Sequence, residues 1–219
     1  MSINQIISIE GNIGSGKSTL LHYLREEFKN NKHIIFLKEP VDEWDKIKDT
    51  NGITILEKFY ADQEKYSFSF QIMAFISRLS LLKNTIKQNP NSIIITERSL
   101  YTDKMVFAKM LYDSGKIEHI NYQIYLNWFN EFICDFPVNK IIYVKALPEI
   151  CFNRIELRAR VGENNIPIDY LTNCHEYHED MINSNICDDK IVLDGNINIY
   201  ENKKQLHVWI KDIKQFIAM

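Results

Sequence analysis

Cysteine is scarce and scattered in this 219-residue chain: Cys134, Cys151, Cys174 and Cys187 are its four, with no Cys-x-x-Cys spacing. Zinc frameworks and disulfide-stapled folds are thereby excluded, and buried or incidental thiols are left. An excess of positive charge is missing too. Lys and Arg total 26 against 29 Asp and Glu, a formal net charge of −3, so the broad electrostatic footprint of a nucleic-acid binder is absent. Any anion site must be local, made from a few placed residues. No apolar run approaches the length needed to span a bilayer. Glycine and proline are few, 7 and 5, and there is no repeat, low-complexity tract or Ser/Gly linker. A hydrophobic content of 45% can still bury a good core, so one domain over residues 1–219 is expected.

What the chain does possess is concentrated near its start. In IISIEGNIGSGKSTLLHYL, Ile6 to Leu24, a strand-like apolar run tips into Gly11, Asn12, Ile13, Gly14, Ser15, Gly16, Lys17 and Ser18, and a helical pattern follows. That is G-x-x-x-x-G-K-S in a strand–loop–helix setting, the phosphate-cradling P-loop. Three of the seven glycines lie here, where backbone amides must turn inward onto phosphate oxygens. The helix from about Lys17 points its positive end at the same anion. Lys17 is expected to reach the outer phosphates and Ser18 to hold Mg²⁺. The motif begins so early that no signal or transit peptide is expected before it, and a cytoplasmic or nuclear location follows.

The rest of the chain alternates. Strand candidates are Gln5–Glu10, Ile34–Leu37, Ser92–Thr96, Lys140–Ala146 and Lys190–Leu193, with helical patterns between them and a last helix from about Tyr200 to Ile217. Each of the five prolines sits at the edge of a periodic segment. Short buried strands alternating with helices predict an α/β fold with a five-stranded parallel sheet flanked by helices. Ligands of such sheets gather at the carboxyl ends of the strands. Glu39 and Trp44 follow the second strand, and Glu97-Arg98-Ser99 follows the third. Either acid alone could be a solvated loop residue. Beside a phosphate cradle, the pair reads as an acceptor-side base and a metal ligand.

Other clusters divide between chemistry and packing. In Glu64–Lys87, Phe68, Ile72, Phe75, Leu79, Leu82 and Ile86 form an apolar helix face and read as core. Gln71, Ala74 and Arg78 lie about a quarter-turn away and could line a cleft. Arg154 and Arg158, four apart on a helix after Pro148, are expected to point the same way, with Arg160, Gly162 and Glu163 entering a loop that ends at Pro167. A mobile arginine-bearing loop suits the charge on a phosphoryl group in transfer. HEYHED, His175–Asp180, lacks the H-E-x-x-H spacing and reads as a polar helical face rather than a metal site. The aromatic run Asn121–Ile133 reads as core, with a dimer interface as the alternative.

Taken in order, EGNIGSGKST, EPVDEW, FQIMAFISR, ERSLYTD and RIELRARVGE resemble the deoxyribonucleoside kinase family, of the deoxycytidine, deoxyguanosine and deoxyadenosine kinase type. The resemblance runs from Ile6 to about Tyr177. It implies a P-loop kinase fold with an arginine-bearing lid, ATP as phosphate donor, Mg²⁺, a deoxynucleoside as acceptor and a homodimer. On the matching positions it implies ATP contacts through Gly11 to Thr19, Arg154, Arg158 and Arg160, and metal contacts through Ser18 and Glu97. Glu39 would face the 5′-hydroxyl as base, and Arg98 would hold that hydroxyl and the phosphates. Gln71, Arg78 and Asp103 would read the base between Phe70 and Phe107, with Trp44 and Ala74 beside them. Tyr60 and Glu163 would grip the sugar 3′-hydroxyl. The catalytic set is then Glu39, Arg98, Lys17 and Arg158. Gly162 stands where relatives often carry an acid.

Three rivals compete with that reading. A nucleoside monophosphate kinase on the same fold would need an added arginine near Glu39 to hold an acceptor phosphate, and none is there. A non-catalytic nucleotide-binding subunit has no need to keep Lys17, Glu39, Glu97 and Arg98 together. A GTPase switch would carry an N-K-x-D stretch, which does not occur. Hydrogen-bond signs on Arg78 and Asp103 favour deoxycytidine or a purine deoxynucleoside over thymidine.

Overall fold

Five runs rich in isoleucine and valine become the strands β1 Gln5–Glu10, β2 Ile34–Leu37, β3 Ile93–Glu97, β4 Lys140–Lys145 and β5 Lys190–Asp194. They pair in parallel in the order β2-β3-β1-β4-β5. The protein, in a computed structural model, is described over residues 4–160, 162–163 and 166–218. The helices are α1 Lys17–Glu27, α2 Val41–Trp44, α3 Ile55–Ala61, α4 Gln63–Gln88, α5 Leu100–Thr102, α6 Lys109–Asp113, α7 His119–Ile133, α8 Pro148–Arg158, α9 Ile168–Asn183 and α10 Lys203–Ala218. A π-helical turn, Asp103–Ala108, joins α5 to α6.

Both faces of the sheet are covered, which is why its strands read as near-continuous apolar runs. Ile6, Ile94, Ile141 and Tyr143 face a core with Phe75 and Leu79 of α4, Tyr125 and Phe129 of α7 and Met181 of α9. Ile7, Ile9, Ile95, Ile142 and Val144 face the other way, against Leu20, Leu21 and Leu24 of α1 and Trp209 and Ile213 of α10. Ile7 and Ile9 are wholly buried, and truncating either to Ala would cost about 2–5 kcal/mol. None of the helices is long and apolar enough to cross a membrane, among the described residues.

Boundaries move slightly from the sequence expectation. β3 runs one residue later, β4 stops at Lys145, and β5 extends to Asp194. The last helix starts at Lys203 rather than Tyr200 because the Asn202 side chain accepts from the Gln205 amide at 3.1 Å. Tyr200 itself sits in a turn closed by Asn198 Oδ1. The register matters most for the site. Leu37 and Ser8 both align with Thr96, and Ile9 aligns with Glu97. Three strands therefore end at one edge, where Gly11, Glu39 and Arg98 emerge together.

Candidate active site

The P-loop follows β1 and can be made only with glycines at two of its turns. Gly14 has φ +79°, and a Cβ there would lie 2.5 Å from the Cys151 carbonyl oxygen. Gly11 has φ +145°, and a Cβ there would lie 2.5 Å from the Val144 carbonyl oxygen. Asn12 ties the loop to α9 by donating from Nδ2 to the Leu171 carbonyl at 2.8 Å. Lys17 is buried and donates from Nζ to the Asn12 carbonyl at 2.7 Å. Burial, then the charge of Arg98, lowers its pKa to about 8. Ser18 Oγ donates to Glu97 Oε1 at 2.5 Å, while Glu97 Oε2 is buried with no partner among the described residues. A hydroxyl and a carboxylate with an oxygen to spare, at the mouth of a phosphate loop, fit a hard divalent cation.

Beyond the loop lies a charged network. Glu39 Oε1 accepts from Arg78 Nη2 at 2.9 Å and lies 3.2 Å from Arg98 Nε. Burial works to raise the Glu39 pKa, but Arg98, Arg78 and Lys17 outweigh it and hold the carboxyl at about 2. Arg78 also makes a two-pronged pair with Asp103, Nε to Oδ2 at 2.9 Å and Nη2 to Oδ1 at 3.3 Å, and donates from Nη1 to the Glu97 carbonyl at 2.9 Å. Asp103 reaches it from the first residue of the π-helical turn. Such turns widen a helix locally and often occur at functional positions. Arg98 has φ +64°, an uncommon conformation for a side chain of its size, and such strain collects at functional sites.

Next to the network is an aromatic slot. Phe70 stacks on Phe59 with ring centroids 4.5 Å apart, and Trp44 meets Phe70 edge-on at 5.5 Å. Phe107 lies beneath the Arg98 guanidinium, 4.8 Å from its ring centroid. Gln71 is buried, its Oε1 without a partner among the described residues, and Ala74 leaves space one turn on. Tyr60 packs near Tyr170, and burial followed by the Glu163 charge raises its pKa well above the usual range. Every residue singled out from the sequence for this site, except Gly11 and Asn12, lines one cavity of about 750 Å³. A cradle for phosphates at one end and an aromatic slot with polar readers at the other can hold a nucleotide and a nucleoside-sized molecule end to end.

The chain belongs to the deoxynucleoside kinase family. The family model described as deoxynucleoside kinase matches residues 7–218. A probable deoxycytidine kinase of fowlpox virus (strain NVSL) is 37% identical over 182 residues, 82% of this chain and 72% of that protein. Human deoxycytidine kinase is 35% identical over 193 residues, covering 79% and 73%. Human thymidine kinase 2, mitochondrial, is 30% identical over 179 residues, covering 81% and 64%. The protein is therefore an enzyme, a deoxynucleoside kinase that uses ATP.

Arg154 and Arg158 both line the cavity and take different partners. Arg154 donates to the carbonyls of Gly195 at 2.7 Å and Ser15 at 3.2 Å, clamping the P-loop to the loop after β5. Arg158 pairs with Glu163 Oε2, and Arg160 with Glu163 Oε1 at 3.0 Å. The helix ends between them because Ala159 turns left-handed, φ +46°. Val161, Asn164 and Asn165 of this loop lie outside the described residues. HEYHED departs from the sequence expectation, because it is not a uniformly polar face. His178 is fully buried, 3.2 Å from Arg98. Its signal was available: Leu171, Cys174 and His178 stand at i, i+3 and i+7 on α9 and all face inward. Sequence reasoning also passed over Phe59 and Tyr170, which complete the cavity wall.

Proposed function

We propose that this kinase transfers the γ-phosphoryl group of ATP to the 5′-hydroxyl of a deoxyribonucleoside, preferring deoxycytidine or a purine deoxynucleoside to thymidine. The observation that carries this reading is the placement of ionised Glu39 between Arg78 and Arg98, where the phosphate loop meets the aromatic slot. A loose phosphoryl-transfer transition state asks the protein mainly for alignment and positive charge. Lys17, Arg98 and the lid arginines Arg158 and Arg160 supply that charge, and Tyr60 with Glu163 fixes the sugar. Ser18 and Glu97 would hold Mg²⁺, which supplies further neutralisation of the phosphates. A carboxylate held near 2 is a weak base. Glu39 therefore first orients the hydroxyl, and takes its proton as the new P–O bond forms and the hydroxyl grows acidic.

Base preference rests on donor and acceptor signs. Asp103 only accepts and Arg78 only donates. Four N–H groups of Arg78 are committed to Asp103, Glu39 and the Glu97 carbonyl, so its main work is to hold Asp103 charged and aimed. Cytosine and adenine offer an amino donor to that carboxylate, with Gln71 and the remaining Arg78 N–H near the ring nitrogen. Thymine would bring a carbonyl against Asp103, costing about 1–3 kcal/mol. Guanine reverses the same edge but can accept at N7 and O6.

The same reading has the chain working as one domain over residues 1–219 and as a homodimer in the cytoplasm or nucleus, with no nucleic-acid partner. A net charge of −3 and an exposed apolar stripe on α7 support it. The test is a panel of four deoxynucleosides with ATP and Mg²⁺. Thymidine is expected to trail the best substrate in kcat/KM by about tenfold or more. Thymidine in first place would overturn the preference. ATP consumption with thymidine monophosphate but not with nucleosides would overturn the acceptor.

A further inference from the structure

We propose that His178 is a positioning residue for phosphoryl transfer, acting through Arg98; the proposal rests on the role given to Arg98 above. His178 lies wholly buried on α9, with Nδ1 2.6 Å from the Cys174 carbonyl oxygen and Nε2 3.2 Å from Arg98 Nη1. The tautomer follows from these partners. A carbonyl can only accept, so Nδ1 carries the proton; a guanidinium can only donate, so Nε2 offers its lone pair. The imidazole is thus neutral, and burial together with the Arg98 charge keeps it so by lowering its pKa well below the ordinary value.

This acceptor completes a frame around the guanidinium. Arg98 Nη1 gives one N–H to the Gly11 carbonyl at 2.9 Å and the other to His178, while Nε lies beside Glu39. Phe107 supports the plane from below and meets the His178 ring edge-on, centroids 6.2 Å apart. The backbone is fixed as well: the Arg98 amide donates to the Ile9 carbonyl at 3.0 Å, and Thr96 Oγ1 donates to the Arg98 carbonyl at 2.6 Å. With Nη1 committed and Nε against the Glu39 carboxylate, the two N–H groups of Nη2 are uncommitted among the described residues, and Arg98 lines the cavity. His178 thereby decides which edge of the guanidinium is presented to the reacting phosphoryl group. Charge on that group grows in the transition state, so a misdirected edge would lower kcat more than it would weaken nucleoside binding.

The experiment compares His178→Gln, His178→Asn and His178→Leu with wild type. Gln can place an acceptor near the Nε2 position. Asn keeps a donor for Cys174 but is too short to reach Arg98, and Leu offers neither. Leu and Asn are expected to lower kcat roughly 10- to 100-fold, the scale of a lost hydrogen bond to a charged group, with nucleoside KM within about threefold. Gln should recover most of the rate. In an Arg98→Ala background the His178 substitutions should cost little more, because their target is gone. Should Leu fail to fold, the Gln and Asn pair carries the comparison alone. Equal losses in Gln and Asn, a pure KM effect, or an undiminished loss in the Arg98→Ala background would overturn the proposal. Arg98→Ala with wild-type kcat would instead refute the parent role of Arg98.

Discussion

At the residue scale, the network around Glu39 sets what each substitution can report. Glu39→Gln keeps the shape and an acceptor for Arg78 while removing charge and basicity. Turnover should fall on the order of 10² or more with nucleoside binding largely intact. Single-turnover rates equal to wild type would remove Glu39 from the chemistry. Arg78→Met with Asp103→Ala removes a buried pair together, since losing one partner strands the other charge. The ratio of thymidine to deoxycytidine activity should rise. Arg78 also donates to Glu39, so kcat should drop with every base, and the ratio rather than the absolute rate is the readout. An unchanged ratio would place base selection elsewhere. Lys17 gives a pH signature. Its pKa of about 8 means it is charged below that pH and neutral above it. kcat/KM for ATP, which reports the free enzyme, should decline as pH rises through about 8, whereas kcat should hold to higher pH because bound phosphates favour the charged lysine. A flat kcat/KM profile to pH 9.5 would contradict this.

At the scale of elements, the segment after α8 is the one whose partners must change during turnover. Glu163, which the proposed function assigns to the sugar, is here held by Arg158 and Arg160, so those arginines can meet phosphates only by loosening that grip. Arg158→Ala should cut kcat at least tenfold, with nucleoside KM changed only a few-fold. A rise in KM at constant kcat would assign Arg158 to ground-state binding. The elements themselves were largely legible. Strands covered on both faces need only an apolar run, so Ile34–Leu37 and Gln5–Glu10 were expected with the bounds they have. The P-loop was legible because its glycines answer to local geometry. What escaped depends on neighbours distant in sequence. No pattern in DKMVFA announces a π-helical turn, and Arg154 binds carbonyls 41 and 139 residues away. The polar residues flanking His178 mask its place on the inward face with Leu171 and Cys174.

For the whole molecule, the open matter is the outer side of α7. Its inner side sends Tyr122, Tyr125 and Phe129 into the core, and Phe75 of the neighbouring α4 packs between Tyr125 and Phe129. Its outer side carries Ile120, Ile124 and Trp128 at i, i+4 and i+8, exposed by 65%, 40% and 52%, with Phe132 stacked on Trp128. Ile76 of α4 adds a further exposed apolar side chain, 51% accessible. A contiguous apolar ridge is costly to leave in water, and a second copy of the same ridge is self-complementary about a two-fold axis. The homodimer proposed above therefore uses α7. Light scattering should give about twice the chain mass of 25.9 kDa for wild type. Ile124→Glu places two like charges near the axis and should yield monomers. Trp44 and Trp209 are buried, so Trp128 is the tryptophan whose surroundings change, and its emission should move to the red in the variant. Lys17, Glu39, Arg98 and Arg158 all line one chain's own cavity, so the monomer should keep kcat within a few-fold and lose mainly thermal stability. A monomeric wild type would overturn the homodimer, and an Ile124→Glu variant that stays dimeric would move the interface to another face.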